Sequence, residues 1–238
     1  MKMSATTTVA CLGDSITKGM ISYHWVRELS RKMPAFRFLN HGVNGDLAYN
    51  ALQRLEPVIA AKPDVVVILL GTNDVLHAIP SIELRIRETN LPQKPDKDWF
   101  RANLHEIIRQ IQTRTTARIL IASMPVIGEG LLHLSNQLVQ QYNEIIRQTA
   151  EQYNLEYLPF NEALVRILEE ESPQNPIRLE DSFGVVVKAM MRRLMLRQSY
   201  DGISDVYGLK LTTDTIHLNS RSGKILGDLV AEKLAAIT

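Results

Sequence analysis

The run Val65-Val66-Val67-Ile68-Leu69-Leu70 constrains the fold more than any other part of the chain, because it is apolar without interruption. β-Branched residues favour extended backbone, and a strand in which apolar and polar residues do not alternate must be covered on both faces. Such strands occur inside parallel sheets that have helices packed on either side. The sequence therefore predicts a parallel sheet with residues 65–70 as a central strand.

Other short β-rich runs alternate with segments of helical period along the chain. The further strand candidates are Val9–Leu12, Phe36–Asn40, Ile119–Ser123 and Leu155–Phe160. Between them apolar residues recur at helical spacing, and a last helix is predicted after Asn219 and Ser220, which are common N-cap residues. This alternation predicts an α/β protein built as a three-layer α/β/α sandwich.

Length and hydrophobic content are sufficient for one large α/β domain, since the chain has 238 residues of which 45% are hydrophobic. We expect one domain over residues 1–238. Two connections are longer than the simple alternation requires, a predicted loop from residue 77 to about 97 and an insertion at about 172–212. Long connections in compact domains are usually functional or disordered, and the insertion is interpreted as a lid or accessory element.

The insertion contains an amphipathic segment, Phe183 to Gln198, that is predicted to be helical. Its apolar residues share one face, and Lys188, Arg192, Arg193 and Arg197 make it cationic. The simpler interpretation is an extra helix that docks on the core or on another subunit. A helix that rests on a lipid surface or lines an acyl pocket is the alternative.

Charge and cysteine content exclude several partners. The chain has 27 Lys and Arg against 26 Asp and Glu, so no global field attracts it to nucleic acid. The single cysteine, Cys11, cannot form an internal disulfide, and no zinc-binding spacing occurs, so no zinc site is expected. No apolar run approaches the roughly 18 residues of a membrane span. Residues 1–8 lack the apolar stretch of a signal peptide, from which we expect a cytoplasmic protein.

Polar, glycine-rich segments follow the first three predicted strands, at Gly13–Thr17, Asn40–Asp46 and Gly71–Asp74. In parallel sheets the carboxyl ends of the strands share one edge, where ligands bind. Ser15, at a strand-to-helix turn, can supply both a nucleophilic hydroxyl and a backbone N–H. Gly45 offers a backbone N–H without a Cβ in the way, and Asn73 a side-chain NH₂, so the segments predict an oxyanion hole.

A serine hydroxyl needs a base, and His217 is the strongest candidate because Asp214 precedes it by three residues. A carboxylate at that spacing on a turn can orient the imidazole and stabilise its charged form. Each of these residues alone has a simpler interpretation as a cap, a turn residue or a surface ion pair. His41 and His77, on the same rim, are interpreted as solvent-facing side chains, with substrate contact as the alternative.

Taken in order, these segments resemble the sequence blocks of the SGNH hydrolase superfamily, also called GDSL-like lipases and esterases. The matching motifs are Gly13-Asp14-Ser15, Asn40-x-Gly42-x-x-Gly45-Asp46, Gly71-x-Asn73-Asp74 and Asp214-x-x-His217. The resemblance implies a flavodoxin-like five-stranded parallel sheet, Ser15, Asp214 and His217 as catalytic triad, and Ser15, Gly45 and Asn73 as oxyanion hole. It implies no metal and no organic cofactor. Asp14 and Asp74 are expected to support these loops. Thr215 departs from the family, which often has glycine after this aspartate.

Three functions stay open at this point. The first is a small-acyl carboxylesterase or carbohydrate O-acetylesterase that works through an acyl-enzyme. The second is a lysophospholipase or acyl-thioesterase, which the apolar and basic insertion would suit and which would act on a lipid ester. The third is a noncatalytic binding protein that retains the fold. The α/β-hydrolase elbow, the P-loop and the Rossmann glycine motif do not occur in the sequence, which argues against those classes.

Overall fold

The computed structural model describes residues 6–79, 91–171, 173, 177 and 179–236. It contains a five-stranded parallel sheet with the strand order β2-β1-β3-β4-β5. The strands are β1 (Thr7–Gly13), β2 (Phe36–Gly42), β3 (Val65–Leu69), β4 (Arg118–Ala122) and β5 (Glu156–Leu158). This order is that of flavodoxin-like sheets, and all five predicted strands are confirmed to within a few residues at their ends.

β3 lies in the middle of the sheet, as the uninterrupted apolar run predicted, and all of its residues are buried. Successive side chains of a strand point to opposite faces. Val66 and Ile68 accordingly belong to one core cluster, and Val65, Val67 and Leu69 belong to the other. The two clusters are the two interfaces between sheet and helices, which confirms the three-layer sandwich.

The described helices cover both faces of this sheet. One core cluster includes residues of α3 (Ala48–Gln53), α4 (Glu56–Ala60), α5 (Thr72–Ala78), α6 (Lys97–Arg114) and α7 (Leu134–Gln152). The other includes residues of α2 (Trp25–Lys32), α8 (Phe160–Glu170) and α11 (Ser220–Ala235). The short α1 (Ser15–Lys18) follows β1 directly. As predicted, the side chain of Asn219 caps α11, where it accepts from the N–H groups of Arg221 and Ser222.

The connection after β3 differs from the predicted loop of residues 77 to about 97. Helix α5 begins immediately after Gly71 and continues to Ala78, so His77 and Ala78 are helical. Residues 91–96 are not helical, as expected, whereas residues 80–90 lie outside the described part of the chain. The prediction missed α5 because a helix of only seven residues is too short to show a clear apolar period.

The insertion at 172–212 contains two helices, α9 (Leu179–Leu194) and α10 (Tyr200–Tyr207). α9 begins and ends four residues earlier than the predicted segment 183–198. Ala189 is fully buried, whereas Met191 and Leu194 are about half exposed, so only part of the apolar face of α9 is buried against the rest of the protein. A lid or accessory role therefore stays a prediction. Among the described residues, no helix combines the length and apolar character needed to span a membrane.

Replacing Gly42 by alanine tests how closely α1 packs against the sheet. An added Cβ would lie 2.2 Å from the backbone nitrogen of Lys18 in α1. Backbone atoms must then shift, and we expect Gly42→Ala to lower the free energy of unfolding by about 1–3 kcal/mol. Chemical denaturation measures this loss.

Gly184→Ala is the matched control, because no atom lies within 4 Å of a Cβ at that position in α9. Alanine is favoured over glycine inside a helix by about 0.5–1 kcal/mol, so this variant should equal or exceed the parent in stability. Equal stability of the two variants would contradict the close packing of α1 on β2.

Candidate active site

Ser15 is the first residue of α1, directly after the turn that ends β1. The side chain of Asp14 caps this helix by accepting from the Ile16 N–H at 2.9 Å. The capping interpretation of Ser15 is therefore wrong, since the neighbouring carboxylate fills that position. The hydroxyl of Ser15 is left available for other contacts, and its N–H, at the start of a helix, has no partner within the helix.

Ser15, His217 and Asp214 lie in one line of hydrogen bonds. The Nε2 atom of His217 is 2.9 Å from the Oγ atom of Ser15, and its Nδ1 atom is 2.7 Å from Oδ2 of Asp214. Asp214 is fully buried, and its other oxygen accepts from the N–H groups of Ile216 and His217. A buried, hydrogen-bonded carboxylate of this kind holds the imidazole in the tautomer with a proton on Nδ1, which leaves Nε2 able to accept from Ser15.

The segment that carries Asp214 and His217 is a tight loop closed on itself. Thr212 and Leu218 form an antiparallel bridge, and the Thr213 N–H donates to the carbonyl oxygen of His217 at 2.6 Å. Thr215, at the tip, has a φ of 83°. This left-handed conformation costs a non-glycine residue about 1–2 kcal/mol, which is why glycine suits the position. Thr215 therefore adopts this left-handed backbone at a cost in strain.

The two other predicted oxyanion donors lie on the segments that follow β2 and β3, next to the Ser15 turn. The Val43 N–H donates to the carbonyl oxygen of Gly13, which places the loop of Gly45 beside the end of β1. Gly45 is exposed, has a φ of 81°, and its N–H has no hydrogen-bond partner in the described chain. Asn73, in the first turn of α5, donates its Nδ2 to the Asp46 carbonyl oxygen at 2.9 Å and more weakly to Asp14 at 3.4 Å.

The supporting carboxylates are buried between these loops. Asp74 accepts from the Ala48 N–H at 3.1 Å, which connects α5 to α3. Arg54, which sequence reasoning missed, donates to Asp46 and to the carbonyl oxygens of His41 and Gly13. It thus joins the ends of β1 and β2. Nothing in its sequence context signals this role, because the guanidinium reaches these atoms only in the folded sheet.

Burial and charge set the protonation of the site. Desolvation acts to lower the pKa of His217, but the charge of Asp214, its hydrogen bond and the charge of Asp14 outweigh it, so the pKa of His217 is raised above its usual value. Desolvation also raises the pKa of Asp14, to about 7, although the Ile16 N–H and His217 oppose that effect. Asp14 is therefore a carboxyl group that can carry a proton near neutral pH beside Ser15.

The interpretation of His77 as a solvent-facing side chain is wrong. Only 4% of His77 is exposed, and its Nδ1 lies 2.8 Å from the carbonyl oxygen of Asn73, to which it can donate. His41 is half-buried in β2, where burial and then Arg54 lower its pKa. Both residues lie behind the loop tips, because the strand and helix that hold them extend further than predicted.

Comparison with known proteins decides the family. The sequence model of the GDSL-like Lipase/Acylhydrolase family matches residues 11–176, more than half of the chain and including Ser15, Gly45 and Asn73. The chain belongs to this family. Asp214 and His217 follow the matched region, so their assignment depends on the loop geometry described above.

Two family esterases are similar in sequence. An acetylxylan esterase from Geobacillus stearothermophilus is 29% identical over 138 residues, which cover 54% of this chain and 58% of that protein. Esterase TesA from Pseudomonas aeruginosa is 31% identical over 101 residues, which cover 39% of this chain and 50% of that protein. The alignments thus span only 50% and 58% of these relatives' own lengths.

Solved structures share the fold over nearly the whole chain. The crystal structure of the acetyl xylan esterase AlAXEase superposes with a TM-score of 0.69 at 20% identity, covering 95% of this chain and 98% of that one. At this identity the likeness establishes the fold and not the substrate.

Asp214→Asn tests the electrostatic link between Asp214 and His217. Removing the charge leaves desolvation as the dominant influence, so we expect the pKa of His217 to fall and the acid limb of the kcat/KM profile to move to lower pH. The plateau should fall by roughly three to four orders of magnitude, because the imidazole is no longer oriented. Ester hydrolysis measured across pH checks both effects. Asp205→Asn, at an exposed helical carboxylate, should leave the profile unchanged.

Asp14→Asn tests the raised pKa of Asp14. Its pKa is about 7 in the folded protein against an ordinary value of 3.8, so ionisation opposes folding and the wild type should lose stability as pH rises through this interval. The amide of Asp14→Asn has no charge to bury. Over the same interval, the free energy of unfolding of the variant should therefore fall by roughly 2–4 kcal/mol less than that of the wild type. Denaturation from about pH 4 to about pH 8 compares the two slopes. Parallel slopes for wild type and variant would refute the shift, and Asp228→Asn, exposed on α11, is the control.

Proposed function

We propose that this protein is a serine esterase that hydrolyses carboxylic esters through an acyl-enzyme. The observation that carries the proposal is the line of hydrogen bonds from Asp214 through His217 to Ser15, with distances of 2.7 and 2.9 Å. Membership of the GDSL-like family, whose relatives include two esterases, supports it. Small-molecule esters are the substrates that such a site accepts.

In the proposed mechanism, His217 Nε2 takes the proton of the Ser15 hydroxyl as Oγ attacks the ester carbonyl. The negative charge that develops on the carbonyl oxygen is stabilised by the N–H groups of Ser15 and Gly45 and by the side chain of Asn73. α1 has only four residues, so its dipole is small and the N–H of Ser15 itself is the relevant donor. The contact of Asn73 Nδ2 with Asp14 is long at 3.4 Å and therefore weak, so the carbonyl oxygen of a substrate can compete for that hydrogen while the bond to Asp46 is kept.

Collapse of the tetrahedral intermediate expels the alcohol, which takes the proton from His217, and leaves Ser15 acylated. Water then loses a proton to His217 and attacks the acyl carbon, and the acid leaves as Ser15 regains its proton. Asp214 stabilises the imidazolium in both steps. No metal or organic cofactor takes part in this proposal.

Small acyl groups, in particular O-acetyl groups, are the proposed substrates. The relatives that act as acetylxylan esterases support this choice. A long-chain lipid or thioester substrate is the second candidate, because the exposed side chains of Met191, Met195 and Leu196 line an apolar hollow together with Lys188 and Arg192. A noncatalytic binding protein is the candidate of another class.

Ser15→Ala decides between enzyme and binding protein. We expect turnover of p-nitrophenyl acetate to fall by at least about three orders of magnitude, because the attacking atom is lost. A fluorophosphonate probe should label the wild type at Ser15 and leave the variant unlabelled. Ser30→Ala, at an exposed helical serine, is the control. Equal turnover by wild type and Ser15→Ala would reject the proposed enzyme.

A panel of p-nitrophenyl esters from acetate to octanoate separates the two substrate classes. A small acyl pocket predicts that kcat/KM is highest for acetate and falls steeply with chain length, since the longer acyl groups cannot be accommodated. Activity that increases toward octanoate would favour the lipid or thioester substrate instead.

A further inference from the structure

We propose that Glu129 is a positioning residue that fixes the loop of Asp214 and His217 relative to Ser15. This inference rests on the proposed function, because it names a residue that the same site depends on. Glu129 lies between β4 and α7, and it neither contacts Ser15 nor belongs to the motifs that the sequence singled out.

The carboxylate of Glu129 is bound by three successive residues that precede Asp214. Its Oε2 accepts from the Lys210 N–H at 2.7 Å, and its Oε1 accepts from the Leu211 N–H at 2.8 Å and from the Thr212 N–H at 2.9 Å. The Thr212 hydroxyl donates to the same Oε1 at 2.9 Å. One side chain therefore holds residues 210–212, which lead into the closed loop, through four hydrogen bonds.

Glu129 is only 2% exposed, and none of the ion pairs found among the described residues includes it. The charge of Arg221 interacts with Glu129 from a distance, but a buried carboxylate that forms no ion pair still depends on the N–H and O–H groups that surround it. Backbone N–H groups are oriented by the main chain, so a displacement of residues 210–212 would leave the charge unsatisfied. Burial of the charge thus penalises any other position of the loop.

A second contact from the same connection holds the tip of the loop. The Gly128 N–H donates to the carbonyl oxygen of Thr215 at 2.6 Å. Asn136, in the first turn of α7, donates its side chain to the carbonyl oxygens of Gly128 and Gly130 and accepts from the Ile127 N–H. The residues that hold the loop are therefore themselves fixed to a long helix.

This arrangement has a consequence for catalysis. Ser15 is fixed by β1, whereas His217 reaches it from a loop that is 202 residues away in sequence. Their 2.9 Å contact depends on the loop position, and a misplacement on the order of 1 Å can cost about a hundredfold in rate. Glu129 acts through Asp214 and His217 and not on the substrate.

Glu129→Gln is the central variant, since it keeps the side-chain size but replaces one acceptor oxygen by an NH₂ group that faces N–H donors. We expect kcat for p-nitrophenyl acetate per labelled active site to fall by roughly ten- to a hundredfold, with KM within about twofold. Glu129→Asp keeps the charge with a shorter reach and should give an intermediate kcat. Titration with a fluorophosphonate gives the number of active sites, so loss of folded protein does not enter the comparison.

Glu162→Gln is the matched control. Glu162 is likewise a glutamate that accepts hydrogen bonds through both oxygens, from the side chains of Ser123 and Tyr157, but none of its hydrogen bonds among the described residues comes from the loop. It should retain the wild-type kcat.

The NMR titration of the His217 imidazole, assigned with His217→Gln, is a second readout that does not require ester turnover. The charges that face His217 are those of Asp214 and Asp14, and a displaced loop weakens the influence of Asp214. We expect the titration of His217 in Glu129→Gln to move to lower pH than in the wild type. Such a shift in a protein without esterase activity would support the positioning role and reject the proposed function.

A lower melting temperature together with wild-type kcat, KM and His217 titration in Glu129→Gln would overturn the inference. Glu129 would then stabilise the fold without setting the geometry of the site. A fall in kcat that Glu129→Asp does not partly restore would also count against it, because the carboxylate is the group to which the positioning is assigned.

Discussion

The pairing of β1 with both β2 and β3 is the interaction on which the rest of the site depends. In this register Gly13 lies opposite Gly42 on one side and Leu69 on the other, so the three strands end at the same level. The turn of Ser15 and the loops of Gly45 and Asn73 therefore leave the sheet next to one another. Because alternate side chains of β3 belong to different core clusters, a one-residue shift of register would move each of them into the wrong cluster, and the relative height of these loops is fixed by the core.

Hydrogen bonds then fix the segments that follow β1, β2 and β3 relative to one another. Arg54 binds acceptors at the ends of β1 and β2, and Asn73 binds the carbonyl oxygen of Asp46 on the next loop. Asp14 caps the helix of Ser15 while its own charge is penalised by burial. The site thus combines well-defined hydrogen bonds with a buried carboxyl group whose pKa is about 7. Both properties arise because water is excluded from the site.

The strands, and the polar residues that follow them, were predictable from the sequence because their signals are local. The unbroken apolar run of 65–70 requires a buried strand, and glycine-rich polar tips after consecutive parallel strands must share an edge. The seven-residue α5 was missed because it is too short for a period to be visible, and His77 was therefore assigned to a loop. Arg54 and Glu129 were missed for another reason, since their partners are distant in sequence and no local pattern indicates them.

The sequence by itself determined the class of fold, the order of the strands along the chain and the set of polar residues at the strand ends, because burial of apolar runs and the freedom of glycine act within a few residues. Only the tertiary structure decided which of those polar residues meet. The 2.9 Å contact of His217 with Ser15 joins segments that are distant in sequence, and so do the hydrogen bonds of Glu129 with residues 210–212. The left-handed backbone of Thr215 belongs to the loop that these contacts hold in place. Contacts of this kind are set by packing and by the burial of charge across the whole molecule, and no short stretch of sequence contains them.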